Sequence, residues 1–251
     1  MYKIISVHSF RGGTGKSNTT ANVATILASQ GKRVGVIDTD IQSPGIHVLF
    51  GFDADNMQYS LNDYLWGKCD IAQTAYDLTH SLDASLSGQI YLIPSSIKAG
   101  EIARVVREGY DVGLLNDGFH DLVEQLDLDV LMIDTHPGLN EETLLSIAVS
   151  DALAIVMRPD QQDFQGTGVT VEVARKLDVP RMVLVVNKMP PIFKEAEVKL
   201  RVEQTYNVPV AAIFPHSDEM MILASEGIFV LRYPDHIISQ RFRQLADALM
   251  E

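Results

Sequence analysis

An α/β fold, with one open, mostly parallel, twisted sheet and helices on both faces, is what this sequence predicts, and two observations carry the prediction. Short β-rich runs recur at residues 4–8, 33–37, 89–93, 129–133, 152–157, 182–186 and 210–214. Most are apolar at consecutive positions, as strands covered on both faces are. The intervals between them are mainly helix-length, which is what crossover connections between parallel strands need. The chain of 251 residues is 46% apolar and 21% charged, so a sizeable core is available and disorder is not expected. No linker, repeat or low-complexity tract divides it, and residues 1–251 read as a single domain.

The first unit is the clearest. The strand at 4–8 leads into Arg11-Gly12-Gly13-Thr14-Gly15-Lys16-Ser17, and helical spacing follows through Val23, Ile26 and Leu27. Gln30-Gly31 supplies the stop before the strand at 33–37. This is a βαβ unit with an expected right-handed crossover. Residues 56–87 show helix-like apolar spacing (Leu61, Leu65, Ile71) and predict helices flanking the sheet. Phe164-Gln165-Gly166 falls in a polar connection, and Ile237, Ile238, Phe242, Leu245 and Leu249 predict the inner face of a last packed helix.

The glycine-rich turn carries chemistry. Gly12, Gly13 and Gly15 let the backbone approach an anion without Cβ clashes, and successive N–H groups with the following helix N-terminus make a concave donor surface for phosphates. Lys16 would reach the β/γ-phosphate oxygens, and the Ser17 hydroxyl would ligate Mg²⁺. Thr14 inside the loop and Asn18 beyond it complete the nucleotide-binding candidates here. Phe10 stands where the usual pattern has its first glycine, so the loop is a variant form. Asp38-Thr39-Asp40 ends the second strand, and Asp134 ends the run at 129–133 before Thr135-His136-Pro137-Gly138. Ligands of open α/β sheets gather beyond the carboxyl ends of the strands, so all three carboxylates can face the loop's crevice. Asp134 is placed to hold Mg²⁺ through water, and Gly138 to lend an N–H to a γ-phosphate.

On these residues, with Val185-Val186-Asn187-Lys188, the sequence resembles the ParA/MinD family of deviant Walker-box ATPases, phosphate-loop NTPases, over essentially its whole length. The resemblance implies an ATP-sandwich homodimer with ATP and Mg²⁺ at the subunit interface and slow, partner-stimulated hydrolysis. It assigns Asp40 to the attacking water, Asp38 and Asp134 to Mg²⁺, and Asn187 to the adenine edge. It places Pro215 and Asp218 around the base. The family's signature lysine, which crosses the dimer, is Arg11 here, and arginine's planar fork is not equivalent to an ammonium. Arg11 acting in trans, or Arg158 in the next strand-end loop, would make that phosphate contact; the alternative for each is a surface arginine paired with a carboxylate. His136 takes the family's proline place beside Asp134, within reach of the γ-phosphate, and His8 reads as a core histidine.

What the dimer acts on is less determined. Twenty Lys and Arg stand against 33 Asp and Glu, which argues against a generally basic nucleic-acid binder. The excess is uneven: residues 1–169 hold 10 basic and 22 acidic residues (−12), residues 170–251 hold 10 and 11 (−1). Lys188, Lys194, Lys199, Arg201, Arg232, Arg241 and Arg243 form either a nonspecific DNA patch or a solvated face. Only Arg241 and Arg243 add charge to the last helix, too little for a MinD-like lipid anchor, so membrane association is not expected. The single cysteine, Cys69, excludes a disulfide framework or an all-cysteine cluster within one chain. The expectation is a cytoplasmic, nucleoid-associated protein that positions cellular cargo with an adaptor or activator partner. Its short core and Arg11 are similar to McdA-type ATPases, which distribute carboxysomes. The alternatives are a MinD-like membrane-associated ATPase, a pilus- or flagellum-positioning ATPase, and a binding module that does not hydrolyse its nucleotide.

Overall fold

The computed structural model describes residues 2–83 and 85–251. Its strands are β1 (Lys3–His8), β2 (Arg33–Asp38), β3 (Tyr76–Asp77), β4 (Gln89–Ile93), β5 (Val130–Asp134), β6 (Ala152–Met157), β7 (Arg181–Met189) and β8 (Val210–Pro215). They form one sheet in the order β3-β4-β2-β5-β1-β6-β7-β8. Every neighbouring pair is parallel except β3, which runs antiparallel to β4 at the edge. All the strand runs read from sequence are present.

Consecutive apolar residues in a strand serve opposite faces of the sheet, because side chains alternate. Ile5, Val7, Val34, Val36, Val130 and Met132 pack on one face with buried residues of the Lys16–Ser29 and Ile237–Met250 helices. Ile4, Ile37, Leu131 and Ile133 pack on the other with Leu115, Phe119 and Leu122 of the Val112–Gln125 helix. Beyond β1, Leu153, Ile155, Leu184 and Val186 meet Val171, Ala174 and Val202. The Lys16–Ser29 helix lies between the sheet and the last helix and is buried nearly all round. That double cover holds the phosphate-loop end of the helix still.

Three expectations need correction. Residues 56–87 are not simply helices: the Leu61–Leu65 helix, a 3₁₀ turn at Ile71–Thr74, strand β3 and the Thr79–Leu82 helix share the segment. A two-residue strand is too short to show alternation; pairing of Tyr76 with Leu92 creates it, and the Tyr76 hydroxyl ties it to Tyr59. Phe164-Gln165-Gly166 lies inside the Gln161–Lys176 helix, capped by the Asp160 carboxylate accepting from Asp163 N–H. Ile237 is 47% exposed; the last helix buries Ile238, Phe242, Leu245 and Leu249, and Ile237 sits in its first turn on the outer side.

Candidate functional site

The site forms where β1, β2 and β5 end side by side. β1 runs into the glycine loop, and Gly15 closes that loop at φ +97° as the Lys16–Ser29 helix begins. The left-handed backbone calls for glycine at Gly15, and a Cβ there would stand 2.2 Å from Asn187 Nδ2, so the amide would have to swing away. Asn187 Nδ2 donates to the Thr14 carbonyl (2.7 Å), and Lys188 Nζ donates to the Gly13 carbonyl (2.8 Å). The end of β7 therefore braces the loop from outside.

Lys16 points inward. Its ammonium is 3.0 Å from Asp134 Oδ1, which also accepts from Thr20 Oγ1 at 2.9 Å. Thr20 was not singled out from sequence, although it lies one helical turn after Lys16 and so shares its face. The β2–β5 register sets Asp38 directly beside Asp134. Asp38 is fully buried; it accepts from the Asp40 N–H (3.0 Å) and the Gly45 N–H (3.1 Å). Burial first, and the Asp134 charge second, push its carboxyl above the usual carboxylate range. Two buried, adjacent carboxylates, with Ser17 in the first turn of the Lys16–Ser29 helix beyond the loop, offer oxygen donors of the kind Mg²⁺ takes. Among the described residues no cluster of three or more His, Cys, Asp or Glu can hold a metal by itself. A divalent ion here would share its coordination with phosphate oxygens, Ser17 and water.

Asp40 lies at the rim. Its Oδ1 accepts from the Ser43 N–H (3.2 Å) and is 2.6 Å from His136 Nδ1. Gly138, at φ +89°, donates its N–H to the Ser9 carbonyl (3.1 Å) in this arrangement. His8 is buried as expected, with Nδ1 2.8 Å from Thr135 Oγ1; burial, then the Lys16 charge, lower its pKa to about 3.

Arg11 and Arg158 share one pair of carboxylates in their own chain. Arg11 Nη2 is 2.7 Å from Asp160 and 2.8 Å from Asp163, and its other terminal nitrogen meets Gln162. Arg158 Nε lies 3.4 Å and 3.5 Å from the same two acids. In this arrangement both arginines are carboxylate-paired, the alternative that sequence left open.

Beside the loop a cavity of about 570 Å³ opens between β7, β8 and the last helix. Gly15, Asn18, Asn187 and Pro215, nucleotide-binding candidates from sequence, line it together with His216, Ser217 and Met220, which were not among them. Asp218 is not in the lining: it stands in the first turn of the Asp218–Leu223 helix, its side chain 87% exposed and turned toward His216 at 3.7 Å. Its position at a helix N-terminus suits a negative charge without any ligand. The basic patch is also engaged: Lys194 pairs with Glu197, Lys199 with Glu203 and Arg241 with Glu195, while Arg243 donates to the Pro234 carbonyl.

A mostly parallel sheet whose glycine loop, lysine and paired carboxylates meet at the strand ends, next to an open cavity, defines a phosphate-loop nucleotide-binding protein. Comparison with known proteins is narrower. A family model named "AAA domain" matches residues 2–179. An "uncharacterized ATP-binding protein" of Methanocaldococcus jannaschii is 29% identical over 247 residues, spanning 98% of this chain and 87% of that protein. The septum site-determining protein MinD of Pyrococcus horikoshii, solved with Mg-ADP, superposes with TM-score 0.80 at 21% identity, over 98% of this chain and 95% of that one. Apo McdA of Cyanthece superposes with TM-score 0.78 at 19% identity, over 99% and 100%. The chain belongs to the ParA/MinD family of P-loop ATPases.

Proposed function

We propose that the chain is an ATP-hydrolysing switch that pairs with a second copy around ATP and Mg²⁺ and positions a cellular cargo. The observation that carries this reading is the convergence on one crevice of the glycine loop, Lys16 and the Asp38–Asp134 pair, with the base cavity alongside. Phosphates would occupy the loop from Gly12 to Ser17 and draw Lys16 away from Asp134. Ser17, Asp38 and Asp134 would hold Mg²⁺, which when bound neutralises the charge that builds on the phosphates. The purine would lie against Asn18, Asn187 and Pro215. Asp40 would orient the attacking water.

Arg11 is the candidate for the contact made in trans. Its three carboxylate and amide partners belong to its own chain, so it would have to exchange them for phosphate oxygens of the second copy. Arg158 stays closer to a supporting role, with its backbone N–H also bound to Asp163 (2.8 Å). An arginine acting across an interface on a phosphoryl group contributes ~10³–10⁵ in rate in other systems.

The cargo surface is proposed to be the nucleoid, reached by nonspecific DNA contacts of the nearly neutral C-terminal third, with an adaptor or activator protein stimulating release. What supports it is the charge distribution and the likeness to McdA; three of the seven patch cations, Lys194, Lys199 and Arg241, are paired with carboxylates of their own chain, so binding would need the dimer to assemble a doubled surface. Among the described residues no helix is long and apolar enough to cross a membrane. The test measures molecular mass with ADP and with a non-hydrolysable ATP analogue, then repeats it with DNA and with anionic liposomes. The reading expects an ATP-dependent dimer that binds DNA and loses it steeply with salt. A monomer under saturating ATP analogue refutes the switch, and liposome binding in place of DNA moves the surface to the membrane.

A further inference from the structure

We propose that His136 is a positioning residue that fixes the Asp40 carboxylate for its work on the attacking water, an inference that rests on the ATPase reading above. His136 Nδ1 lies 2.6 Å from Asp40 Oδ1, and the Ser43 N–H reaches the same oxygen at 3.2 Å. Oδ1 is thereby occupied twice. Oδ2 accepts no hydrogen bond from the described residues, and the Asp40 side chain keeps 12% exposure. A carboxylate turns freely about its last torsion when nothing holds it. Here two donors on one oxygen select a single orientation and leave one oxygen open to the crevice.

The histidine itself is anchored. Its carbonyl accepts from Thr143 Oγ1 at 3.1 Å, and the neighbouring Thr135 hydroxyl is tied to His8 and to the Val7 carbonyl. His136 follows β5 and Asp40 follows β2, so this one contact joins two loops that otherwise meet only through the strands and the Thr39–Asp134 bonds. The proposal requires the tautomer in which Nδ1 carries the hydrogen and donates it to Asp40 Oδ1. Charge-assisted bonds of this kind are about twice as strong as neutral ones. Among the described residues the ring makes no hydrogen bond or ion pair to the phosphate loop, so His136 acts through Asp40.

The experiment compares wild type with His136→Ala and His136→Asn, whose amide offers an N–H close to the place of Nδ1. Misplacing a reacting group by about 1 Å can cost ~10²-fold, so His136→Ala should lose between about 10- and 100-fold in kcat for MgATP. KM should stay within about threefold, and His136→Asn should recover most of the loss, because the bond acts on the chemical step and not on binding. Unchanged kcat in His136→Ala overturns the proposal, as does a loss shared with KM that asparagine does not restore. A second readout needs no turnover: ring ¹⁵N correlations at neutral pH should show His136 protonated at Nδ1 in wild type and shifted toward the Nε2–H tautomer in Asp40→Ala. A ring protonated at Nε2 alone in wild type overturns the bond. If wild type binds ATP and does not hydrolyse it, the ATPase reading fails, and so does the catalytic meaning of this contact; the ring spectrum then reports the bond alone.

Discussion

Gly166 is the glycine whose replacement tests how the phosphate loop is seated. It lies inside the Gln161–Lys176 helix, where alanine would ordinarily gain about 1 kcal/mol over glycine. A Cβ there, however, would stand 2.1 Å from Phe10 Cδ1, 2.3 Å from Cγ and 2.8 Å from Cβ. The clash reaches the root of the side chain, so swinging the ring tip does not relieve it; Phe10 or the helix must shift. Overpacking of this kind costs about 1–3 kcal/mol, which leaves Gly166→Ala between neutral and about 2 kcal/mol destabilising. Since Phe10 precedes Arg11 and Gly12, the shift is transmitted to the loop, and ATP-analogue affinity should fall as well. In a Phe10→Ala background the ring contacts at 2.1 and 2.3 Å are gone and only the Cβ contact at 2.8 Å remains, so the same substitution should cost less than it does in wild type. Urea unfolding of the four proteins of this double-mutant cycle reads the coupling directly, expected at about 1–3 kcal/mol. Equal effects of Gly166→Ala in both backgrounds would refute the reasoning.

Three further outcomes follow from named contacts. The folded-state pKa of His8 is lowered from 6.5 to about 3, so the unfolded chain binds more protons between those values and stability from this group falls as pH drops below 6.5. At pH 5 the penalty is about 2 kcal/mol, from ~1.36 kcal/mol per pH unit; His8→Asn should remove that part of the acid sensitivity, and an unchanged pH profile of unfolding would contradict it. Gly15→Ala meets both a left-handed backbone and Asn187 Nδ2, so it should cost on the order of 1–3 kcal/mol and abolish nucleotide uptake by calorimetry; uptake at wild-type affinity would show that the brace is dispensable. Arg11→Ala leaves the buried Asp163 facing Arg158 alone and should destabilise the monomer by about 1–3 kcal/mol. A variant of full stability that still dimerises with ATP analogue would remove Arg11 from both its structural and its proposed trans role.

The main strands and the loop were legible because they depend on local rules. Consecutive apolar residues mark a doubly covered strand wherever they occur, and Gly15-Lys16-Ser17 between a strand and a helix has one common use. Their carboxylates, Asp38 and Asp134, could be placed at strand ends from sequence alone; that they stand side by side follows only from the β2–β5 register, which brings together segments 96 residues apart. Strand β3 escaped notice because it exists only by pairing with β4. Gly166 reads as loop in sequence because glycine is a poor helix former; its place in the Gln161–Lys176 helix leaves room for the ring of Phe10.

By itself, then, the sequence determined the α/β class, the phosphate loop and the residue types offered to a nucleotide, since each is written in neighbouring positions. The tertiary structure alone decided which charges are free to act. Lys16 is joined to Asp134, Arg11 to Asp160 and Asp163, and Asp40 to His136, through contacts that cross from 96 to 152 positions of chain. Hydrogen bonds and ion pairs depend on separation in space over a few ångströms, and packing of the sheet against its helices sets those separations.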